Sequence, residues 1–397
     1  MANPQRSRFA KFWSLDEKTV FLNHGSFGAC PDFVIEEQQK WRDLLELEPV
    51  RFYERIAPDA LYSARVALGK FINCNADDLA FVANATSGVN TVLRSLQFKK
   101  GDELLVPDHA YQACRNAIDF VAERWGAKVV VCNIPFPAES IEQVLDAILS
   151  KVTNRTKIAM IDTVTSPTGL LMPFEELSKE LESRGVQVLL DAAHGPGMVP
   201  LDLEALGASY VTGNCHKWLC APKGSAFLYV RNDLQEDIHP LSISHGRTFP
   251  LGDTTRFRHE FDWVGTRDVS QWCSIPAVIE GMTELGAGDW DQIMSTNRSL
   301  ALQGRRLVCD AIGAEIPCPD EMIASIATLQ ISKEIKGGIP LHEPDPLHEI
   351  LLDEHGIQVP VWCWPSPEGR YIRISAQLYN HIDEYRYLAE TLSELDL

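Results

Sequence analysis

A lysine and an aspartate, each set near the end of a strand-like run, carry the most specific chemistry in this chain. Asp191 closes the apolar run at 186–190, and Lys217 follows the run at 208–212 in the segment Cys215-His216-Lys217. A lysine amine condenses with an aldehyde to form a Schiff base. A carboxylate holds a pyridine nitrogen protonated, so that the ring accepts the electrons of a carbanion. Pyridoxal 5'-phosphate (PLP) needs both groups, and the pattern predicts Lys217 and Asp191 as its catalytic pair. Taken singly, a surface lysine and a helix-capping aspartate would explain them. What overrides that reading is the number of other segments that fit the same cofactor.

Asn84-Ala-Thr86-Ser87-Gly88 opens a helix directly after a strand. Free amides and the positive end of the helix dipole favour a phosphate there, with the Thr86 and Ser87 hydroxyls as added donors and Gly88 allowing close approach. An ordinary Thr/Ser cap is the alternative. His109 and Tyr111 follow the strand at 103–106, where a ring can lie on the cofactor; a half-buried core aromatic is the commoner fate of such a residue. In the rigid turn Thr163-Val-Thr165-Ser166-Pro167-Thr168-Gly169, Ser166 or Thr165 can reach the cofactor's ring oxygen. His194 can donate to the same phenolic oxygen, and His216 can contact the phosphate. Arg373 suits the bidentate grip of an amino-acid α-carboxylate. Cys363 lies in a proline-flanked stretch read as a loop, with no nearby cation to lower its pKa, and is expected to be a bystander.

These residues need a scaffold, and the hydrophobic pattern supplies one. A helix opens at Pro31-Asp32, carries Val34, Trp41 and Leu45 on one side and stops at Pro49; another covers 60–72. Strands then follow at 79–83, 103–106, 128–132, 156–161, 186–190, 208–212 and 225–230, with helices predicted at 87–96, 111–125, 141–151 and 174–184. Such alternation predicts an α/β fold with a mostly parallel sheet sandwiched by helices, and ligands sit outside the carboxyl ends of such strands. Beyond Asp268 the pattern shifts to helices at 269–284 and 289–312, short strands at 323–330 and 371–375, and a last helix from near Asp383 with Leu388, Leu392 and Leu395 on one stripe. The expected organisation is an N-terminal segment at 1–20 packed on the small domain, a large cofactor-binding domain at 21–268 and a smaller C-terminal α/β domain at 269–397.

Composition narrows the partners. The 397 residues carry 36 Lys and Arg against 55 Asp and Glu, a formal net charge of −19, which disfavours nucleic acid and anionic membranes. Any phosphate must therefore be held locally. The ten cysteines form no CxxC pair and no metal-ligand cluster, so no metal is expected and reduced thiols are. The N-terminus has no apolar core of a signal peptide and no run is long enough to span a membrane, which predicts a cytoplasmic protein.

In this order the segments resemble the class V aminotransferase family of fold-type I PLP enzymes, which also contains the cysteine desulfurases. The likeness runs from Phe21-Leu-Asn-His-Gly-Ser-Phe-Gly28 to Tyr379-Asn380, through Leu190-Asp191-Ala-Ala-His194-Gly, Cys215-His216-Lys217, Gly265-Thr266-Arg267-Asp268 and Arg373-Ile-Ser375. Within the family the isopenicillin N epimerase-like branch is the most similar, on Phe21-to-Gly28, Thr165-to-Gly169, Ile243-Ser-His245-Gly246 and Trp263-to-Asp268. The resemblance implies a fold-type I PLP-dependent transferase-like architecture. It implies Lys217 as the Schiff-base lysine, Asp191 on the pyridine nitrogen and His194 beside the ring oxygen. Thr86, Ser87 and His216 would hold the phosphate, Tyr111 or His109 would stack on the ring, and Arg373 would clamp the substrate carboxylate. Thr266 would reach the cofactor phosphate of a neighbouring subunit, implying a homodimer. The activity implied is epimerisation of an amino acid. The alternatives are a carbon–sulfur β-lyase or a cysteine desulfurase-like enzyme, and after these an aminotransferase or a non-catalytic PLP-binding protein. Desulfurases carry a persulfide-forming cysteine upstream of the carboxylate arginine; Cys363 stands closer to Arg373 than that and lacks the His-rich surroundings.

Overall fold

The run at 186–190 shows no alternation because it is covered on both sides. Val188, Leu189 and Leu190 are all fully buried, as expected of a parallel strand with helices on both faces. The computed structural model describes residues 4–332, 345–364 and 369–395. Its strands, in chain order, are β1 (Val20–Phe21), β2 (Leu79–Val82), β3 (Glu103–Pro107), β4 (Lys128–Cys132), β5 (Thr156–Asp162) and β6 (Gln187–Ala192). They continue with β7 (Tyr210–Asn214), β8 (Ala226–Val230), β9 (Ile326–Ser332), β10 (Ile357–Gln358), β11 (Val361–Cys363) and β12 (Arg370–Ser375).

Seven of them form one sheet in the order β2-β8-β7-β6-β5-β3-β4. The pairs from β7 through β4 are parallel, whereas β8 runs antiparallel to both β7 and β2. All seven strand segments read from the sequence are present, with ends moved by at most two residues. Alternate residues feed two cores. Ile158, Met160 and Leu189 face helices Ala85–Ser95 and Gln112–Trp125, while Ala159, Ile161, Val188 and Leu190 face the other side. By the same alternation Asp162, Asp191 and Thr212 share one face and one level, because Asp162 registers with Asp191 and Asp191 with Thr212.

The smaller antiparallel sheet, β11-β12-β9, packs against helix Trp290–Ile312, which in turn packs on Ile382–Glu394. Helices Ser270–Cys273 and Ile275–Glu284 lie instead on Asp32–Leu47 and Ala57–Phe71. β1 pairs in parallel with β10, bringing the N-terminal segment to the C-terminal part of the chain. Three local readings are corrected. The stretch around Cys363 is an edge strand rather than a loop, because main-chain pairing with β12 outweighs the nearby prolines. The helix read at 87–96 begins at Ala85. The helix read at 269–284 is divided near Pro276, which sits in the first turn of the second piece.

Candidate active site

Lys217 lies in the turn that leaves β7, and its Nζ is 3.2 Å from His194 Nε2. The other ring nitrogen, Nδ1, accepts the indole N–H of Trp218 at 3.1 Å. An indole can only donate, so Nδ1 bears a lone pair and the neutral imidazole carries its proton on Nε2, facing Lys217. Burial, then the charges of Lys217 and Arg373, hold His194 well below the usual histidine range. Lys217 forms no ion pair among the described residues; burial and the Arg373 charge, partly offset by Asp191, draw its pKa down from 10.5 to about 8. An amine in that range has a usable lone pair near neutral pH.

The backbone under Lys217 is braced from the N-terminal segment. His24 Nε2 lies 3.0 Å from the Lys217 carbonyl and Nδ1 lies 2.8 Å from the Tyr379 hydroxyl. Gly28 has φ +71, and a Cβ there would fall 2.3 Å from the His216 carbonyl, so the tight turn and the close approach both demand glycine.

Asp191 ends β6 beneath the same site. Its Oδ1 accepts the Ala193 amide at 3.0 Å and its Oδ2 the Cys114 thiol at 3.1 Å. Burial raises its pKa, while Cys114, the Ala193 amide and Lys217 favour the charged form.

The helix opening at Ala85 is capped by Asn84, whose Oδ1 accepts both the Ser87 amide (2.8 Å) and the Ser87 hydroxyl (3.0 Å). Such a cap contributes about 1 kcal/mol. Thr86 and Ser87 are half-buried at this positive helix end, and Asn214 at the end of β7 anchors the Ala85 amide at 2.8 Å. Gly88 is needed against Thr212, whose Oγ1 would lie 2.0 Å from an added Cβ. His216 gives its Nδ1 proton to the Ser225 carbonyl at 2.8 Å, leaving Nε2 as the free ring nitrogen.

Arg373, on β12, is buried. It donates to the Ser166 carbonyl (2.5 Å) and hydroxyl (3.2 Å) and to Ser26 Oγ (3.1 Å). Its Nε has no partner, the Trp362 ring lies 5.4 Å from its guanidinium carbon, and burial lowers its pKa to about 10. Ser166 therefore meets the arginine, whereas Thr165 is occupied by Thr168 Oγ1 at 2.7 Å and the Leu170 amide at 2.9 Å. His109 is likewise committed, to Thr168 Oγ1 at 2.7 Å and the Ile134 carbonyl at 3.0 Å, with the Trp364 ring edge-on. Tyr111 is 47% exposed just before its helix, close enough to Arg373 to act on its charge. Cys363 pairs with Arg370 while Trp362 pairs with Tyr371, so the thiol points to the strand face opposite Trp362 and Arg373. Thr266 is exposed beside Gly265 and makes no hydrogen bond to the Lys217 cluster. His24, Ser26, Asn84, Cys114 and Trp218 are the members of this neighbourhood to which sequence reasoning gave no role; the Phe21-to-Gly28 motif contained His24 and Ser26, and the Asn84-to-Gly88 segment contained Asn84.

The donor set fits PLP: a buried amine without an acid partner, a buried carboxylate, a capped helix N-terminus beside His216, and an arginine with an unused Nε. Among the described residues no group of His, Cys, Asp and Glu is arranged to hold a metal, and no helix is long and apolar enough to cross a membrane. The sequence pattern of the aminotransferase class-V family matches residues 52–335. The probable L-cysteine desulfhydrase, chloroplastic, of Arabidopsis thaliana is 30% identical over 414 residues, covering 97% of this chain and 85% of the relative. Isopenicillin N epimerase of Streptomyces clavuligerus is 30% identical over 397 residues, covering 96% of both. Among solved structures, a C-DES variant with glycine covalently linked to the PLP cofactor superposes with a TM-score of 0.78 at 18% identity, over 95% of this chain and 97% of that one.

Proposed function

The chain belongs to the class-V aminotransferase family, and we propose that it is an isopenicillin N epimerase-like enzyme acting at the Cα of a free α-amino acid. Its cofactor is PLP. When bound, PLP supplies an electron sink that makes a proton on Cα acidic. The observation that carries the reading is the buried Lys217 amine, without an acid partner and 3.2 Å from His194, in the same cluster as Arg373.

The chain's own groups then have distinct tasks. Arg373 turns its guanidinium to the substrate carboxylate, with Ser26 and Ser166 fixing its plane. Lys217 Nζ takes the Cα proton as a base. His194, its Nδ1 occupied by Trp218, would offer Nε2–H to the cofactor's ring oxygen. Asp191 would hold the ring nitrogen, Thr86, Ser87 and His216 would hold the phosphate, and Tyr111 would provide the aromatic plate, since His109 is fully buried with the Trp364 ring against it.

Carbon–sulfur β-elimination is the second reading, supported by a desulfhydrase relative as similar as the epimerase. Elimination needs the same base and no thiol. The placement of Cys363 on the strand face opposite Arg373 weighs against a desulfurase, in which that thiol would have to meet the substrate. Exposed Thr266, after Gly265 at φ +119, suits a contact with the cofactor phosphate of a second subunit in a homodimer. Ten free cysteines suit the cytoplasm. Incubation with a panel of amino acids in heavy water tests the reading. Deuterium at Cα of a retained substrate supports epimerisation, and release of a keto acid moves the assignment to elimination. No exchange with any α-amino acid removes both.

A further inference from the structure

Asp162 is a buried carboxyl to which none of the tasks above falls. It ends β5 in register with Asp191 of the parallel neighbour β6, and both side chains stand on the sheet face covered by helices Ala85–Ser95 and Gln112–Trp125. Adjacent strands lie ~4.8 Å apart, so the two carboxyl groups are neighbours in a dry interior, each residue only 4% exposed. Asp162 Oδ2 has no hydrogen-bond partner, and no cation pairs with the side chain among the described residues. Asp191 instead has two donors, the Ala193 amide and the Cys114 thiol.

Two buried carboxylates side by side cannot both ionise, and the charge settles where the donors are. The other groups facing the pair do not change this. Cys114, from Gln112–Trp125, is a thiol raised by burial and by Asp191. Lys217 acts on Asp191, and Asp108 beyond β3 is turned to the Ile134 amide at 2.9 Å. The direction for Asp162 agrees: burial, then the Asp191 charge, push its carboxyl well above the usual range.

We propose that Asp162 is held as a neutral carboxylic acid beside Asp191, and that its uncharged dipole tunes the negative charge Asp191 presents to the cofactor's ring nitrogen. It is a positioning residue, acting through Asp191 without touching the cofactor. This role rests on Asp191 as the ring partner; the protonation state does not.

The apoprotein tests the state. Infrared difference spectra at pH 7 between wild type and Asp162→Asn should show one protonated-carboxyl carbonyl band lost in the variant. A lost carboxylate band instead overturns the proposal. Stability gives a second readout. A carboxyl whose folded pKa is raised destabilises progressively as pH rises above the unfolded value near 3.9, so the unfolding constant of wild type relative to Asp162→Asn should grow by up to about tenfold per pH unit. A ratio that stays flat overturns it. The role is read from the holoenzyme: Asp162→Ala should move the pH midpoint of the bound cofactor's visible absorption, whereas Asp162→Asn, which keeps a neutral polar group beside Asp191, should move it less. A wild-type midpoint in Asp162→Ala removes the role through Asp191, while an infrared band still lost in Asp162→Asn would place that failure on the ring-partner reading.

Discussion

The indole N–H of Trp218 holds the Nδ1 of His194, and thereby settles which face of that imidazole bears a proton. The bond spans 3.1 Å between two buried residues, of which Trp218 directly follows Lys217 in the chain. Replacing Trp218 by Phe removes the donor and frees the ring to carry its proton on Nδ1. PLP affinity should then fall by about fivefold, the worth of one hydrogen bond near 1 kcal/mol. In a His194→Gln background, whose amide has its own N–H, Trp218→Phe should cost distinctly less. Equal losses in both backgrounds would mean that Trp218 acts by packing alone.

Lys217 gives a covalent and a pH-dependent expectation. Borohydride treatment of the holoenzyme should lock the cofactor to wild type and leave Lys217→Ala unlabelled; a label on another lysine removes the assignment. In the apoprotein the folded pKa of about 8 lies below the unfolded 10.5. The cost of burying the ammonium is therefore fully present below pH 8 and is relieved as pH rises toward 10.5. Lys217→Met should be more stable than wild type in urea at pH 7, with the gap closing by pH 10.5. A gap independent of pH would show that the amine is not depressed.

Asp191→Asn should lower turnover by ~10²–10³, the usual scale for losing one electrostatic contact to developing charge, with little change in thermal stability. Turnover near wild type would show that Asp191 does not face the ring nitrogen.

Arg373→Ala should weaken amino-acid binding by roughly tenfold to over a hundredfold, since an unmade charge-assisted bond costs about 1.5–3 kcal/mol. Cofactor content should stay at the wild-type level, because the arginine's partners are Ser26 and Ser166 rather than the phosphate cradle. Unchanged substrate affinity, measured by titrating the visible spectrum, would move the carboxylate grip elsewhere.

Cys363→Ser should leave Cα proton exchange intact, because the thiol stands on the strand face opposite Arg373. If the purified enzyme transfers sulfur and the serine variant does not, the β11 pairing seen here is not the active arrangement.

The seven sheet strands were legible because most have a short apolar run between turn residues, the mark of burial on both faces, although β7 carries Thr212 and Asn214. Lys217 and Asp191 were legible because few pairs of side chains suit both an aldehyde and a pyridine nitrogen. Asn84 was not, since Asn84, Thr86 and Ser87 are all of cap-forming type and cannot be ranked without helix geometry. Trp218 reads in sequence as plain core, and its one polar atom matters only once His194 is beside it. The His24 brace joins residues 193 positions apart, a distance no local pattern reports. β11 was hidden because three residues are too few to show alternation.

The pairing of β1 with β10 sets an order of events during synthesis. Val20 and Phe21 leave the ribosome long before their partners Ile357 and Gln358. The Ser26 hydroxyl waits equally long for Arg373, 347 positions later. Contacts of such separation form late, after the local helices and the central sheet. A chain stalled before β12 thus holds Lys217 without Arg373, so that on the proposed reading the amine has no carboxylate grip beside it until β12 has emerged.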